Sequence, residues 1–298
     1  MNIEQMSVAI RPMTTMQAVD LGVMMARYWF LPLWKIWVGM ALPFFIVFYL
    51  GMTLLQIFLS VPTDDSWALL GSLGGILFWW LKPIYEKPMV SWLGYALFSN
   101  PPSVKSSIKQ GWCEIKKHAF TLLVRRRFSF NRQLMLPILM LENPEKSQFK
   151  PRFSLLAQGQ SSTLTWHTLV MVNIEMIFTL GMLIFLLNLI PTTLMSAETF
   201  FTYLEVIPTW VEILWITLYF LAISLVAPFF IAGGFAVYLT KRCLLEGWDV
   251  ELTFKQLRQR YVESQQSILL IDANLSGAVS KANPAHLHSS NNENGESS

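Results

Sequence analysis

WVGMALPFFIVFYLGMTLLQIFLS, residues 37–60, runs for 24 residues without a Lys, Arg, Asp or Glu. As a helix it is about 36 Å long, enough to cross the roughly 30 Å hydrocarbon core of a bilayer. Only Gln56 and Pro43 interrupt its apolar character. Three further stretches resemble it. Trp67 to Tyr85 is shorter and ends in Lys82 and Pro83; the Lys82 stem can stay in the apolar layer while its ammonium reaches the headgroups. Thr168 to Ile190 is interrupted by Glu175. Ile213 to Thr240 is uncharged but holds Pro228, expected to kink it, and the pair Gly233 and Gly234.

The whole chain agrees with these segments. Its 298 residues are 53% hydrophobic and 14% charged, with a mean hydropathy of +0.44, whereas soluble domains carry about 25% charged residues. A disordered chain and an ordinary soluble enzyme are both excluded. Cys113 and Cys243 are the two cysteines, and there are four histidines, so neither a disulfide framework, a cysteine-rich zinc module nor a multi-histidine metal centre is expected.

Charge placement then orients the spans. Val61 to Ser66 carries Asp64 and Asp65, and Pro191 to Glu212 carries Glu198, Glu205 and Glu212; neither connection holds a Lys or Arg. All cations fall before the first span, at or beyond the end of the second, or after the fourth. The positive-inside rule puts both termini in the cytoplasm, with four crossings and two short acidic connections outside. An odd number of spans would strand a basic region on the wrong side, so the charge pattern also supports the weak second helix. The N-terminus has no short apolar region followed by a small-residue cleavage site, so no secretory signal is expected.

The expected organisation follows. Residues 1–36 form an interfacial N-terminal region, with a helix over Thr14 to Lys35 and Trp29, Phe30 and Trp34 at headgroup level. Residues 37–85 hold the first two spans and 167–240 the last two, with a basic cytoplasmic helical region over 86–166 between them. In that region Met89 to Ser99 has helical spacing and stops before Pro101 and Pro102. Ser103 then caps a helix with apolar residues at Val104, Ile108, Trp112, Ile115, Ala119 and Leu122. Its cations, Lys105, Lys109, Lys116, Lys117, Arg125, Arg126 and Arg127, suit a basic amphipathic helix on an anionic inner leaflet, though such charge runs usually serve only orientation and solubility. Gln133 to Glu142 is too short to span and is expected to be buried, extended or as a short helix. Residues 241–264 give a second amphipathic helix: Gly247 suits a helix stop, Asp249 the next N-cap, and Val250, Phe254, Leu257 and Tyr261 one stripe. Residues 265–298 are polar and expected to be disordered.

Chemistry is sparse. Glu175 is the one carboxylate inside an expected span, so it is a candidate intramembrane polar site, with Asn173 and His167 as possible members of a polar face. The plainer alternative is a Glu that reaches water or an Arg at the headgroups. Gly71 and Gly75, and Ala232 and Ala236, are spaced for close helix contact. Gly233 and Gly234 after Pro228 could break the fourth helix at a substrate site. No GxSxG, Walker, GxGxxG or HExxH motif occurs, and His286, His288 and the Asn274 sequon lie in the polar tail.

Three stretches carry a family resemblance: IRPMTTMQAVDLGVMMARYWFLPLWKIW, WWLKPIYEKPMVSWLGYALF and GGFAVYLTKRCLLEGWDVELTFKQL. They resemble uncharacterised multi-pass inner-membrane proteins of Gram-negative bacteria. That likeness covers most of the chain up to about residue 262; the chain is also distantly similar to membrane domains accompanying some glycerophosphodiester phosphodiesterases, through an amphipathic entry helix and the element Glu246, Gly247 and Asp249. The resemblance implies a membrane protein without catalytic residues. The expectation is therefore an all-α, polytopic protein of the bacterial inner membrane with four transmembrane helices and cytoplasmic amphipathic helices. It is a non-enzymatic scaffold or accessory subunit that engages membrane lipids or other membrane proteins, with no cofactor, metal or nucleic acid. The alternative is a small transporter or permease component with a polar site near Glu175.

Overall fold

The computed structural model describes residues 13–59, 63–98, 100–125, 129, 131–189 and 209–247, with isolated helical residues between 250 and 269. The chain divides into two units, Met1–Gly247 and Trp248–Ser298. In the second, residues 260–266 are helical, and Val250, Phe254, Leu257 and Tyr261 of the expected stripe are all exposed. Asp249, Asn274, His286, His288 and most of the tail lie outside the described residues, as do Arg126, Arg127, Glu198 and Glu205.

The first unit is all-helical among the described residues. Helix α1, Thr15–Tyr28, opens with a capping box: the Gln17 amide donates to Thr14 Oγ1 at 3.4 Å, and the Thr14 amide donates to Gln17 Oε1 at 3.1 Å. It stops at Trp29, so the helix expected over 14–35 divides, and α2, Phe30–Leu59, begins one residue later. Helix α3, Thr63–Phe98, runs straight through Pro83 and Pro88. The stretch expected as a separate helix from Met89 is therefore its last turns. Residues 82–90 are all buried, and that packing outweighs the hydrogen bonds the two prolines cannot make. Along α3, Gly74 meets Phe48, Phe78 meets Phe45, and Tyr85 meets Trp37, so α3 returns antiparallel beside α2.

Helix α4, Val104–Cys113, has the expected Ser103 cap, whose Oγ accepts from the Ser106 amide at 3.3 Å. It does not continue to Arg127. After Cys113 the chain turns, with His118 at φ 58°, into a π turn at Thr121–Arg125. The Lys87 ammonium compensates the lost helical bonds by donating to the carbonyls of Glu114, Ile115 and Lys117 at 3.2, 3.1 and 2.6 Å. The apolar side of α4 packs on the bundle: Ile108 fills the space beside Gly39, and Trp112 stacks on Phe44 at 5.3 Å and 8°.

Helix α5, Arg132–Pro137, continues as a π turn, Ile138–Glu142; the stretch is buried as expected through Leu139, while Leu141 is exposed. Helix α6 is Lys146–Ala157 and α7 is Ser161–Asn188. Helix α8, Thr209–Glu246, ends where Gly247 adopts φ +59°. α8 is unbroken through Pro228, Gly233 and Gly234, so the expected substrate-site interruption is absent. These glycines are contact points: a Cβ on Gly22 of α1 would lie 2.5 Å from Gly233 Cα, and one on Gly234 would lie 2.4 Å from Gln133 Cβ. Ala232 and Ala236 are fully buried, whereas Gly75 faces open space and Gly74 makes the close contact in its place.

Three segments, Phe30–Gly51, Ser161–Leu186 and Ile213–Glu246, are long and apolar enough to cross a membrane. The fourth expected span, in α3, is not one of them.

Candidate functional site

Buried charge collects around one aromatic ring of α8, Phe230. The Lys82 ammonium lies 5.6 Å from its centroid, the Arg132 guanidinium 5.3 Å, and the His167 ring stacks parallel to it at 6.1 Å and 5°. Each of these groups comes from a different element, α3, α5 and α7. Lys82 pairs with Glu175 of α7, and Arg132 pairs with Glu86 of α3 at 3.3 Å. The four charged side chains balance to zero, as burial demands.

Lys82 does not run outward as expected, and the plainer alternative for Glu175, a carboxylate that reaches water or an Arg, does not hold, because the two side chains are buried against each other. Both are buried, and helix spacing turns Glu175 onto the face of α7 that packs against α8. Thr179 on that face donates to the Glu175 carbonyl at 2.8 Å. Asn173 does not join them: two residues earlier and about 160° around the helix, it is exposed.

His167 does share the buried side. Gln133 Nε2 donates to the Leu164 carbonyl at 3.0 Å and to Thr168 Oγ1 at 2.8 Å, which turns its Oε1 toward His167 Nδ1 at 2.6 Å. An amide oxygen only accepts, so the imidazole proton sits on Nδ1. Among the described residues His167 Nε2 is left buried without a partner, against Gly233, where a Cβ would come within 2.7 Å of it. Trp37 Nε1, Tyr85 OH and Arg132 Nε are likewise buried without a partner among the described residues.

A second cluster joins the π turn after α5, α6 and the C-terminal end of α8. Arg152 donates to both oxygens of Glu142, at 2.6 and 2.9 Å, and pairs with Glu246. Tyr238 donates to Glu142 at 2.8 Å, and Arg242 Nε donates to Glu246 at 2.7 Å. Burial works to raise the Glu142 carboxyl, but the Arg152 and Tyr238 hydrogen bonds and the Arg152 and Arg242 charges hold it below its usual range. The cluster is a structural tie, since every carboxylate is committed to a guanidinium.

The basic surface forms the third feature. Lys105, Lys109, Lys116 and Lys117 are all exposed, and no ion pair holds any of them among the described residues. Arg125 ends the π turn. Beneath them a small cleft is lined by Lys87, Pro88, Trp92, Gln110 and Glu114. Burial pushes the Lys87 ammonium down to about 8, against the opposing pull of Glu114.

Sequence reasoning found Glu175, and His167 as a neighbour, but not Glu86, Arg132 or Gln133. Arg132 and Gln133 stand immediately before the apolar run LMLPILML, a polar pair entering a segment already expected to be buried, and that was the available signal. Among the described residues no three metal-ligating side chains converge. Compared with known families, curated proteins and solved structures, the chain has no match.

Proposed function

We propose that this chain is a non-enzymatic scaffold of the bacterial inner membrane, crossing four times with cytoplasmic termini, whose basic cytoplasmic face engages anionic lipid. The observation that carries it is the set of exposed, unpaired Lys105, Lys109, Lys116 and Lys117 on a segment docked to α2 and α3. The antiparallel return of α3 beside α2 supports the fourth crossing. Lys105 to Lys117 then lie near the leaflet toward which α3 returns, where each cation close to an anionic surface contributes about 1 kcal/mol. The buried charges, by contrast, are spent on one another.

The test is reconstitution of the full chain in nanodiscs of phosphatidylcholine with and without phosphatidylglycerol, followed by native mass spectrometry of retained lipid. Enrichment of phosphatidylglycerol that falls on K105Q/K109Q/K116Q/K117Q supports the reading. Equal retention of both lipids by the unsubstituted chain overturns it.

A second reading, a permease component using the polar core, is favoured by the unpartnered, buried Nε2 of His167. A transport or growth phenotype that Glu175→Gln leaves unchanged counts against it.

A further inference from the structure

Past Cys113 the basic run leaves the helix and folds into a tight turn, and two separate devices hold that turn. The first is Lys87 of α3. Its ammonium is buried, and its three hydrogens meet three acceptors, the carbonyls of Glu114, Ile115 and Lys117 at 3.2, 3.1 and 2.6 Å. Burial works against the charge that makes those bonds, with Glu114 favouring it and Lys117 opposing it. The second device is a clasp. His118 and Asn143 both adopt left-handed backbone without being glycine, at φ 58° and 43°, and His118 Nε2 donates to Asn143 Oδ1 at 3.0 Å. That bond ties the turn to the end of the π turn after α5.

Cations that serve only orientation or solubility work in any conformation, because their effect depends on charge and not on shape. A buried ammonium and two left-handed side-chain-bearing residues are unfavourable features, and such strain collects at ligand clamps. What they fix here is the spacing of Lys116 and Lys117, which are adjacent, exposed and without an ion pair among the described residues. Fixed geometry removes the ordering cost that flexible lysines meet when they close on a phosphate.

We propose that Lys87 is a positioning residue for the basic surface: its ammonium sets the 114–117 turn so that Lys116 and Lys117 hold the phosphate of an anionic lipid headgroup as a fixed pair. This rests on the reading of that face as lipid-binding, and it replaces a diffuse attraction by a built site.

The test uses the full chain in nanodiscs of phosphatidylcholine and phosphatidylglycerol, with retained lipid read by native mass spectrometry and the amides of residues 114–119 by hydrogen exchange. Lys87→Met removes no exposed charge, whereas Lys105→Gln removes one outside the turn. K87M is expected to lower phosphatidylglycerol enrichment about 3- to 10-fold and to speed exchange at 114–119, with exchange in α8 unchanged. K105Q is expected to lower enrichment less than K87M does. H118G frees the backbone and opens the clasp while keeping every lysine; it is expected to move both readouts in the same direction, and it decides the matter if K87M does not fold. Equal retention of both lipids by the unsubstituted chain removes the lipid reading and this proposal together. Enrichment that falls in K105Q/K109Q/K116Q/K117Q but holds in K87M and H118G sinks this proposal alone, as does either readout moving without the other, or K105Q costing as much as K87M.

Discussion

Helices α7 and α8 are neighbours with the same mean hydropathy over their apolar segments, 2.2, yet 78% of the apolar stretch of α8 is buried against 11% of that of α7. Apolarity distinguishes lipid-compatible helices from others; it does not say which of them sits in the middle. Side-chain size does. α8 carries Ala222, Ser224, Ala227, Ala232, Gly233, Gly234 and Ala236, which let α1, α5 and α7 approach its backbone, while α7 has Gly181 and no alanine. Without a hydrophobic driving force between helices in lipid, close approach of small residues decides the centre.

The contrast can be broken most severely at α8. Gly233→Val would drive a branched side chain into the His167 ring, already 2.6 Å from an ideal Cβ, and is expected to cost more than about 3 kcal/mol or abolish folding. Thermal unfolding of the detergent-solubilised chain checks it. Next is the charge that ties α7 to the bundle. Glu175→Ala, which leaves Lys82 buried and unpaired, should cost about 3–5 kcal/mol, whereas K82M/E175M should recover most of that. If the double variant is no better than the single, the pair is not what holds α7.

Lys87 gives an intermediate effect with a sign. Its ammonium is harder to keep charged in the fold than in the unfolded chain. The resulting penalty is therefore complete below about pH 8 and disappears as pH rises from there toward the ordinary lysine value of 10.5. Stability contributed by this group should rise with pH across that window. Lys87→Met should flatten the rise, and titration of a reductively methylated sample by NMR should find one lysine near 8. The smallest effect belongs to α7. Gly181→Ala, with nothing within 4 Å of its Cβ, should shift monomer stability by less than about 1 kcal/mol, in the stabilising direction.

Much of the helical frame was legible. Ser103 caps α4 and Gly247 ends α8 because hydroxyl caps and left-handed glycines act within a few residues. The apolar runs marked α2, α7 and α8 through length alone. The limit is sequence distance. Lys82 finds Glu175 from 93 residues away and Arg132 finds Glu86 from 46, so no local pattern joins them. Lys82 looked like a residue bound for the headgroups because its partner is invisible until α3 and α7 are packed. Gly233 and Gly234 suggested a break because glycine serves both unwinding and close contact, and only the presence of Gly22 and Gln133 against them decides between the two.

The Lys82–Glu175 pair also joins two segments that are made at different times. A ribosome adding about 5–20 residues per second reaches Glu175 roughly 5–20 s after Lys82 has been made. During that interval Lys82 has been made and its counterion has not. The ion pair that joins α3 to α7 can therefore form only after α7 has been synthesised.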